Sequence, residues 1–520
     1  MGDAAGIPFK SWCIPKWSVR WERDAWNKPV PQGGSMGRRP WTSALPALSP
    51  PRRAGNTAQL GMHRSSPGPE DFDSQSGPMG GQITPLMKDL VPGVPAVVRN
   101  EHAEVKALFQ QHVVPSYGRF EVTLSHGAGS QVWDVTGRRY IDLGTGIAVC
   151  ALGHANPEIT EALVEQSRRL VHVSNLYYQA PQAHLARTIV RHLAPGRVFF
   201  CNSGAEANEG LYKLARRFGH DEGRFEILTA VNSFHGRTLA GIAATGQDKV
   251  KQGFGPMTPG FRHVPFNDLE AVRGALSPAT VAILVEGIQG EGGITPATVE
   301  YLLGLRRLCD ERRLLLLIDA VQCGHFRSGR YQSFQRILEG VAGAEGFEPD
   351  GVSMAKSMGG GFPIGAFWVR EKAHGVELGT ILGPGSHGTT YGGTPLGCAV
   401  ASRIFHVIER DGLEARVRQQ GDWMAQVLRR WVDELPGVVR AARGLGYMQG
   451  IELRPREEVR GLASVDRPAS LQVVQLLQEA GVLAIPSGAQ VIRFLPALNI
   501  GQGELEEGLA VVEQVLRGVA

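Results

Sequence analysis

Short apolar segments alternate with helical segments along the middle of the chain, and this alternation restricts the possible folds more than any other feature. The apolar segments lie at residues 197–201, 225–228, 281–286, 314–319 and 351–354. Strands that are separated by helices form a mainly parallel sheet with helices on both faces. The sequence therefore predicts an α/β fold, in which ligands bind beside the carboxyl ends of the strands.

The length of 520 residues predicts more than one domain, because a single core stops growing near about 250–300 residues. The alternating strands predict a large domain over residues 151–395. A long helical stretch and strand candidates at residues 448–453 and 491–494 predict a small C-terminal domain over residues 396–520. Residues 86–150, with two short strands around a Thr-Gly turn, would contribute to this smaller α+β domain, which is then built from both ends of the chain.

Residues 1–85 differ in composition from the rest of the chain, since Pro, Gly, Ser and Arg dominate and no helical or strand period is sustained. We predict a disordered N-terminal extension. An organelle transit peptide is also basic, but the six prolines from Pro29 to Pro51 would break the amphipathic helix of such a peptide. An alternative is that translation begins at Met79 or Met87.

Charge and cysteine usage narrow the class of protein. Lys and Arg number 54 against 50 for Asp and Glu, so the formal net charge of +4 indicates no general affinity for nucleic acid. The six cysteines show neither the spacing of a metal site nor the density of a secreted disulfide scaffold. No apolar run reaches the roughly 20 residues that a membrane span needs. We expect a cytoplasmic protein that acts on small molecules without a metal.

Lys356 and Asp319 carry the most specific chemical signal. Lys356 stands between the apolar segment 351–354 and a run of three glycines, and Asp319 ends the apolar segment 314–319. A carboxylate at the end of a buried strand is costly without a partner, and a protonated pyridine nitrogen is such a partner. A desolvated lysine amine is a good nucleophile. Together they indicate pyridoxal 5'-phosphate as a cofactor, although Asp319 alone could simply cap a turn.

Two further segments fit the binding of a phosphorylated aromatic ring. Ser203 and Gly204 follow a strand and open a helix, where backbone N–H groups bind anions, although the same pair is also an ordinary N-cap. Phe234 could stack on a pyridine ring, and Arg237 could bind a carboxylate in bidentate fashion. Taken singly, Arg237 also fits a surface ion pair, and His235 fits a packed, hydrogen-bonded histidine.

Several motifs together resemble the class III aminotransferases, which are fold type I enzymes that depend on pyridoxal 5'-phosphate. The motifs are Asp319-Ala320-Val321-Gln322, Lys356, and the glycine-rich segment 359–366. The resemblance extends from about Tyr117 to Leu498. Residues 117–120, 146–157 and 174–178 are similar to the acetylornithine aminotransferase subfamily.

The resemblance implies a role for each residue of the cofactor site. Lys356 would form the Schiff base with the cofactor, and Asp319 would hold the pyridine nitrogen. The other contacts would come from the residues at the two ring faces (Phe234 and Val321), the phenolic oxygen (Gln322) and the phosphate (Ser203, Gly204 and Ala205). Segment 387–393 resembles the part of the chain that enters the neighbouring subunit's site, with Thr390 on its phosphate. This implies a homodimer with shared active sites.

Three residues are implied in substrate binding. Arg237 would bind the substrate carboxylate. Glu291 lies in a segment that resembles the family's Glu-Pro-x-Gln-Gly-Glu motif and would pair with Arg493, forming a switch that opens when 2-oxoglutarate brings a second carboxylate.

The reaction implied by the resemblance is transamination of an ω-amino group. N-acetylornithine and 2-oxoglutarate would give N-acetylglutamate semialdehyde and glutamate, as in arginine biosynthesis. Ornithine or 4-aminobutyrate is the alternative donor, and a non-catalytic protein that binds pyridoxal phosphate is the alternative from another class.

The sequence departs from the usual family pattern at several positions. Ala320, Gly287 and Thr394 stand where a glutamate, a proline and an asparagine are common, and His325-Phe326 is also unusual. Because the cofactor residues are retained, we expect these departures to affect the choice of substrate rather than the cofactor chemistry.

Overall fold

The structure, a computed structural model, describes residues 102–520. The extension predicted at residues 1–85 lies outside the described residues, as do Met79 and Met87. Of the segment predicted at residues 86–150, the structure describes the part from His102 onward.

Fourteen α-helices form in the described part of the chain. They are α1 (His102–His112), α2 (Thr145–Ala148), α3 (Pro157–Ser167), α4 (Ala180–His192), α5 (Gly204–Gly219), α6 (Leu239–Ala244), α7 (Leu269–Ala275), α8 (Val299–Arg312), α9 (Ser333–Ile337), α10 (Leu378–Ile381), α11 (Pro395–Arg410), α12 (Leu413–Glu434), α13 (Ala469–Glu479) and α14 (Gln502–Val519). The short α2 is a left-handed turn, because all four of its residues have positive φ angles between 45° and 65°.

Seventeen strands accompany these helices within residues 102–520. They are β1 (Leu124–Ala128), β2 (Gln131–Asp134), β3 (Arg139–Asp142), β4 (Gly196–Cys201), β5 (Glu226–Ala230), β6 (Phe261–Val264), β7 (Thr280–Glu286), β8 (Ile288–Gln289), β9 (Thr295–Pro296), β10 (Leu315–Asp319), β11 (Gly351–Met354), β12 (Gly365–Arg370), β13 (Val439–Leu445), β14 (Met448–Leu453), β15 (Val482–Leu483), β16 (Ile485–Ser487) and β17 (Val491–Phe494).

Seven strands form the central sheet, in the order β4-β12-β11-β10-β7-β5-β6. Strand β12 is antiparallel to both of its neighbours, and the other neighbouring pairs are parallel. The predicted mainly parallel sheet is therefore confirmed. Strand β5 ends at Ala230 rather than at the predicted residue 228, because Thr229 continues the pairing with β6 and its hydroxyl donates a hydrogen bond to the Ala244 carbonyl.

Helices cover both faces of this sheet, as strand β10 illustrates. Leu316 and Ile318 pack into the core that includes α8, whereas Leu315 and Leu317 pack on the opposite face, in the core that includes α5. Each fully buried leucine contributes about 1.5–3 kcal/mol through removal of its side chain from water. A strand buried on both faces explains the continuous apolar run that reveals β10 in the sequence.

The remaining strands bring the two ends of the described chain together. Strand β15 pairs in parallel with β3, so that Val482 lies opposite Ile141. Strands β13, β14, β17 and β16 form a separate antiparallel sheet. This arrangement is consistent with a smaller α+β part built from both ends of the chain, and the domain boundaries at residues 150 and 395 remain a prediction.

The parallel strands direct their carboxyl ends to one edge of the central sheet. Asn202, Glu286, Asp319 and Lys356 follow or end β4, β7, β10 and β11 at this edge. Within residues 102–520, no helix has the length and apolar character to cross a membrane.

Candidate active site

A cavity of about 370 Å³ lies at the carboxyl ends of β4, β7, β10 and β11. It brings together nine residues of the predicted site, which are Ser203, Gly204, Ala205, Phe234, Arg237, Asp319, Val321, Gln322 and Lys356. These residues belong to four segments that are far apart in sequence, and the segments meet because the strands before them run in the same direction.

One end of the cavity is the start of helix α5. Ser203 is the N-cap, and its hydroxyl accepts a hydrogen bond from the Glu206 backbone N–H at 3.2 Å. The N–H groups of Gly204 and Ala205 make no hydrogen bond to another described residue. A Cβ atom on Gly204 would lie 2.6 Å from Cγ1 of Val321, so glycine lets the two segments approach. Free N–H groups at a helix start fit a phosphate.

The buried carboxylate of Asp319 lies in the wall of the same cavity. Its Oδ2 accepts a hydrogen bond from Nδ2 of Asn208 at 2.7 Å and lies 2.8 Å from Nδ1 of His235, and its Oδ1 accepts one from the Val321 N–H at 3.0 Å. Burial alone would raise the pKa of Asp319, but these donors, His235 foremost, keep it below the ordinary value. The group is therefore a buried anion, which fits a protonated pyridine nitrogen.

Phe234 and Arg237 lie on the loop after β5. The guanidinium carbon of Arg237 is 5.3 Å from the centroid of the Phe234 ring, which is within the range of a cation–π contact. Arg237 is exposed and forms no ion pair with a carboxylate of the described residues. Its charge faces a cavity rather than a protein partner, which suits the binding of an anionic substrate.

Lys356 begins a single 3₁₀ turn after β11 with a positive φ angle of 45°. Removal from water, and then the charge of Arg493, lower the pKa of its amine to about 8, against the opposing effect of nearby carboxylates. A useful fraction of the amine is therefore neutral near pH 8, as nucleophilic attack on an aldehyde requires.

Glu291 and Arg493 meet beside the cavity without lining it. Nη1 of Arg493 donates hydrogen bonds to Oε1 of Glu291 at 2.5 Å, to Oε1 of Gln322 at 3.0 Å and to the Gly290 carbonyl at 3.1 Å. Burial would raise the pKa of Glu291, but the charge and hydrogen bond of Arg493 hold it below the ordinary value. Gln322 lies between this ion pair and the cavity.

Thr390 is exposed and does not line the cavity of its own chain. Its neighbour Thr389 accepts a hydrogen bond from Nδ2 of Asn202 at 2.9 Å, which ties this segment to the start of α5. The contact of Thr390 with the phosphate of a neighbouring subunit remains a prediction.

The unusual residues do not line the cavity. They are Ala320, Gly287, Thr394, His325 and Phe326. A Cβ atom on Gly287 would lie 2.1 Å from the hydroxyl oxygen of Ser333, so this glycine accommodates a bulkier neighbour. Thr394 is the N-cap of α11, where its hydroxyl accepts a hydrogen bond from the Gly397 N–H. These departures affect packing around the site, and their effect on the choice of substrate remains a prediction.

Sequence analysis did not identify as site residues three polar residues that lie around Asp319 in the cavity wall. Asn208 and His235 both bind Asp319, and Glu286 lies opposite Asp319 in the sheet. Burial, and then the charge of Asp319, raise the pKa of Glu286 well above its ordinary value. Its carboxyl oxygens accept hydrogen bonds from the N–H groups of Phe234 and Gly290. Only Glu286 has a clear signal in the sequence, because it ends a buried strand as Asp319 does.

Comparison with known proteins identifies the family of this chain. The family model described as Aminotransferase class-III matches residues 113–516. Acetylornithine aminotransferase from Gloeobacter violaceus is 44% identical over 414 residues, which cover 79% of this chain and 97% of that protein. Acetylornithine aminotransferase from Myxococcus xanthus is 42% identical over 427 residues, which cover 81% and 100%.

Solved structures show the same relationship. N-acetylornithine aminotransferase from Stenotrophomonas maltophilia has a TM-score of 0.64 and 33% identity, and the match covers 79% of this chain and 98% of that one. Ornithine aminotransferase from Toxoplasma gondii has a TM-score of 0.73 and 29% identity, covering 81% and 96%. The chain therefore belongs to the class III aminotransferase family and is a transferase that uses pyridoxal 5'-phosphate.

Proposed function

We propose that this enzyme transfers the ω-amino group of N-acetylornithine to 2-oxoglutarate, giving N-acetylglutamate semialdehyde and glutamate. The observation that carries the proposal is the ion pair between Glu291 and Arg493 beside a cavity that also presents Lys356 and Arg237. An ion pair at this position hides a second cationic site from donors that bring a single carboxylate.

The cofactor supplies an aldehyde that takes up the amino group and a conjugated ring that accepts electrons from the substrate carbon. Lys356 would hold the cofactor and, once displaced by the substrate amine, act as the base that removes the proton from the substrate carbon and returns it. Its lowered pKa of about 8 suits both tasks. Asp319 would keep the ring nitrogen protonated, and the donors from His235 and Asn208 would keep Asp319 ionised.

Arg237 and Arg493 would each bind a different carboxylate. Arg237 is exposed to the cavity and would bind one carboxylate of either substrate in bidentate fashion. Arg493 is engaged by Glu291, so it would be available only when 2-oxoglutarate brings a second carboxylate beside the reacting carbon. An ω-amine has no carboxylate beside its reacting carbon, so the ion pair between Glu291 and Arg493 would stay intact when such a donor binds.

The names of the relatives bear on the choice between N-acetylornithine and ornithine as the donor. Relatives that are 42–44% identical carry the name acetylornithine aminotransferase, whereas the ornithine aminotransferase structure is 29% identical. These values favour N-acetylornithine. Ornithine remains the second candidate, because the TM-score to that structure is 0.73.

We also propose that the enzyme is a homodimer with shared active sites. Segment 174–178 and segment 391–393 are joined by a hydrogen bond from Asn175 to the Gly392 carbonyl. The two segments expose four large apolar side chains, which are Leu176, Tyr177, Tyr178 and Tyr391. Exposed large apolar side chains on two joined segments favour association with a second copy. We expect sedimentation to show a dimer and Leu176→Arg to shift it toward monomer, and a monomeric, active wild type would contradict this proposal.

The proposed location is the cytoplasm. All five cysteines of the described residues are free thiols, as is usual in a reducing compartment.

The reaction is tested by measuring rates with N-acetylornithine, ornithine and 4-aminobutyrate, each with 2-oxoglutarate. We expect N-acetylornithine to have the highest kcat/KM. Arg237→Lys should raise the KM of donor and 2-oxoglutarate alike by about tenfold or more, because lysine keeps the charge but loses bidentate geometry. A higher kcat/KM for another donor would contradict the choice of N-acetylornithine.

The ion pair is tested by Glu291→Ala, which should leave Arg493 free and shift preference from ω-amines toward α-amino acids such as glutamate. Glu300→Ala removes an exposed carboxylate from the first turn of α8 and serves as the matched control. An unchanged donor preference in Glu291→Ala would refute the switch.

A further inference from the structure

The hydrogen bonds of Arg493 are distributed unevenly over its guanidinium. All three that it makes to described residues run through Nη1, and their acceptors are Glu291, Gln322 and the Gly290 carbonyl. The Nε atom is buried without a hydrogen-bond partner in the described part of the chain. A single nitrogen thus makes all the hydrogen bonds that join this buried guanidinium to the described residues.

The number of hydrogens on Nη1 makes this arrangement informative. A guanidinium Nη nitrogen has only two hydrogens, so three acceptors cannot each have a full hydrogen bond. When Glu291 moves away, two acceptors remain for two hydrogens. Nη1 is then satisfied by Gln322 and Gly290, and the departure of Glu291 leaves Arg493 held in place.

Both remaining acceptors are fixed by the surrounding chain. The Gly290 carbonyl also accepts a hydrogen bond from the Ser487 hydroxyl at 2.8 Å, and that hydroxyl in turn accepts one from the Gly293 N–H at 3.0 Å. Gln322 lies against Gly290, because a Cβ atom on this glycine would be 2.3 Å from Oε1, 2.4 Å from Cδ and 2.6 Å from Nε2 of the glutamine. Only a glycine permits the amide to lie here.

We infer that Gln322 is a positioning residue for the second carboxylate site, because it holds Arg493 in place when Glu291 leaves. This role rests on the proposed function and adds a third member to the ion pair. Without Gln322, the departure of Glu291 would leave the two hydrogens of Nη1 with a single acceptor, the Gly290 carbonyl, and an unsatisfied donor on a buried guanidinium is costly. Gln322 therefore lowers the free energy that is needed to separate Glu291 from Arg493. The same glutamine lines the cavity, so the carboxylate site and the cofactor site share a side chain.

The inference is tested by calorimetric titration of the holoenzyme with glutarate and with pentanoate. The two ligands have five carbons each, but only glutarate has a second carboxylate for Arg493. In Gln322→Met, we expect the Kd of glutarate to rise by about tenfold, the effect of one hydrogen bond to a charged group, and the Kd of pentanoate to change by less than about twofold. A general disturbance of the cavity would weaken both ligands equally.

A second variant keeps the amide but displaces it. Gly290→Ala would crowd Gln322, and we expect it to weaken glutarate selectively, as Gln322→Met does. Gly292→Ala is the matched control in the same loop, because its Cβ atom would meet Gln289 and Asn232 instead. If Gln322→Met does not retain the cofactor, Gly290→Ala against Gly292→Ala decides the question.

Several further results would overturn the inference. Equal loss of glutarate binding in Gly290→Ala and Gly292→Ala would assign the effect to the loop. Tighter binding of glutarate in Gln322→Met, or unchanged binding, would mean that Gln322 competes with the ligand or plays no part, while the proposed function stands. A wild-type enzyme that does not prefer glutarate to pentanoate would contradict the proposed role of Arg493 itself.

Discussion

The lowered pKa of Lys356 predicts how fast the cofactor-free enzyme captures pyridoxal 5'-phosphate at each pH. The amine has a pKa of about 8 instead of 10.5. At pH 7, roughly one tenth of it is neutral, compared with about three molecules in ten thousand for an ordinary lysine. The neutral fraction available for capture at pH 7 should therefore be roughly 300-fold larger than that of an unperturbed lysine, and the capture rate should level off above about pH 8 to 9.

The capture rate rises with pH because of the protonation state that reacts. Only the neutral amine attacks the aldehyde, so the rate rises with pH until the amine is deprotonated. Arg493 is the second cause of the low pKa, after burial. Replacing Arg493 by methionine should therefore move the midpoint upward, because the repulsion between the two positive charges is lost.

The assay follows the visible absorption of the bound cofactor after mixing it with cofactor-free enzyme between pH 6 and 10.5. Free pyridoxal phosphate also titrates, so its reaction with Nα-acetyllysine over the same range corrects for that effect. Lys356→Ala provides the baseline without covalent capture. A rate that keeps rising tenfold per pH unit beyond pH 9 would refute the pKa of about 8, and an unchanged midpoint in Arg493→Met would refute the electrostatic cause.

Three further predictions concern packing and charge. Gly287→Ala should lower the free energy of unfolding by about 1–3 kcal/mol, because its Cβ atom would lie 2.1 Å from the Ser333 hydroxyl. When Ser333→Ala is added to the same chain, denaturant unfolding should show that most of the lost free energy is restored. A double variant that recovers no stability would contradict the steric cause. Gly204→Ala should raise the Kd of the cofactor by about tenfold or more in equilibrium dialysis, because it would push Val321 away, and an unchanged Kd would contradict the close approach. Asp319→Asn should reduce kcat by about 100-fold or more at every pH while the cofactor stays bound, since the amide cannot stabilise a protonated ring nitrogen, and near-normal turnover would contradict that role.

The sequence predicts those strands of the central sheet that are buried on both faces. Strand β10 is an uninterrupted apolar run, and its end at Asp319 could be predicted for the same reason. Strand β12 was missed because it directly follows a glycine-rich segment and joins the sheet in the antiparallel direction. The left-handed turn at α2 also has no adequate signal, because Gly146 is the only one of its residues that favours positive φ.

The site was predictable to the extent that its residues sit at strand ends or helix starts. Lys356, Asp319 and Ser203 are of this kind, and the parallel sheet brings them to one edge. Asn208 lies in the interior of α5, where nothing in the local sequence distinguishes it from a packing residue. Its contact with Asp319 depends on the placement of α5 against β10, which is a property of the assembled fold.

The ion pair between Glu291 and Arg493 joins positions 202 residues apart, and this separation has a consequence for biosynthesis. A ribosome completes Lys356 and every cavity residue named above well before it reaches Arg493. Contacts of such high sequence separation also form late during folding, because the entropy of closing a long loop must first be overcome. The donor discrimination proposed for this pair would therefore require almost the whole polypeptide, and a translation product that stopped short of Arg493 would retain the cofactor-binding residues but lack the proposed switch.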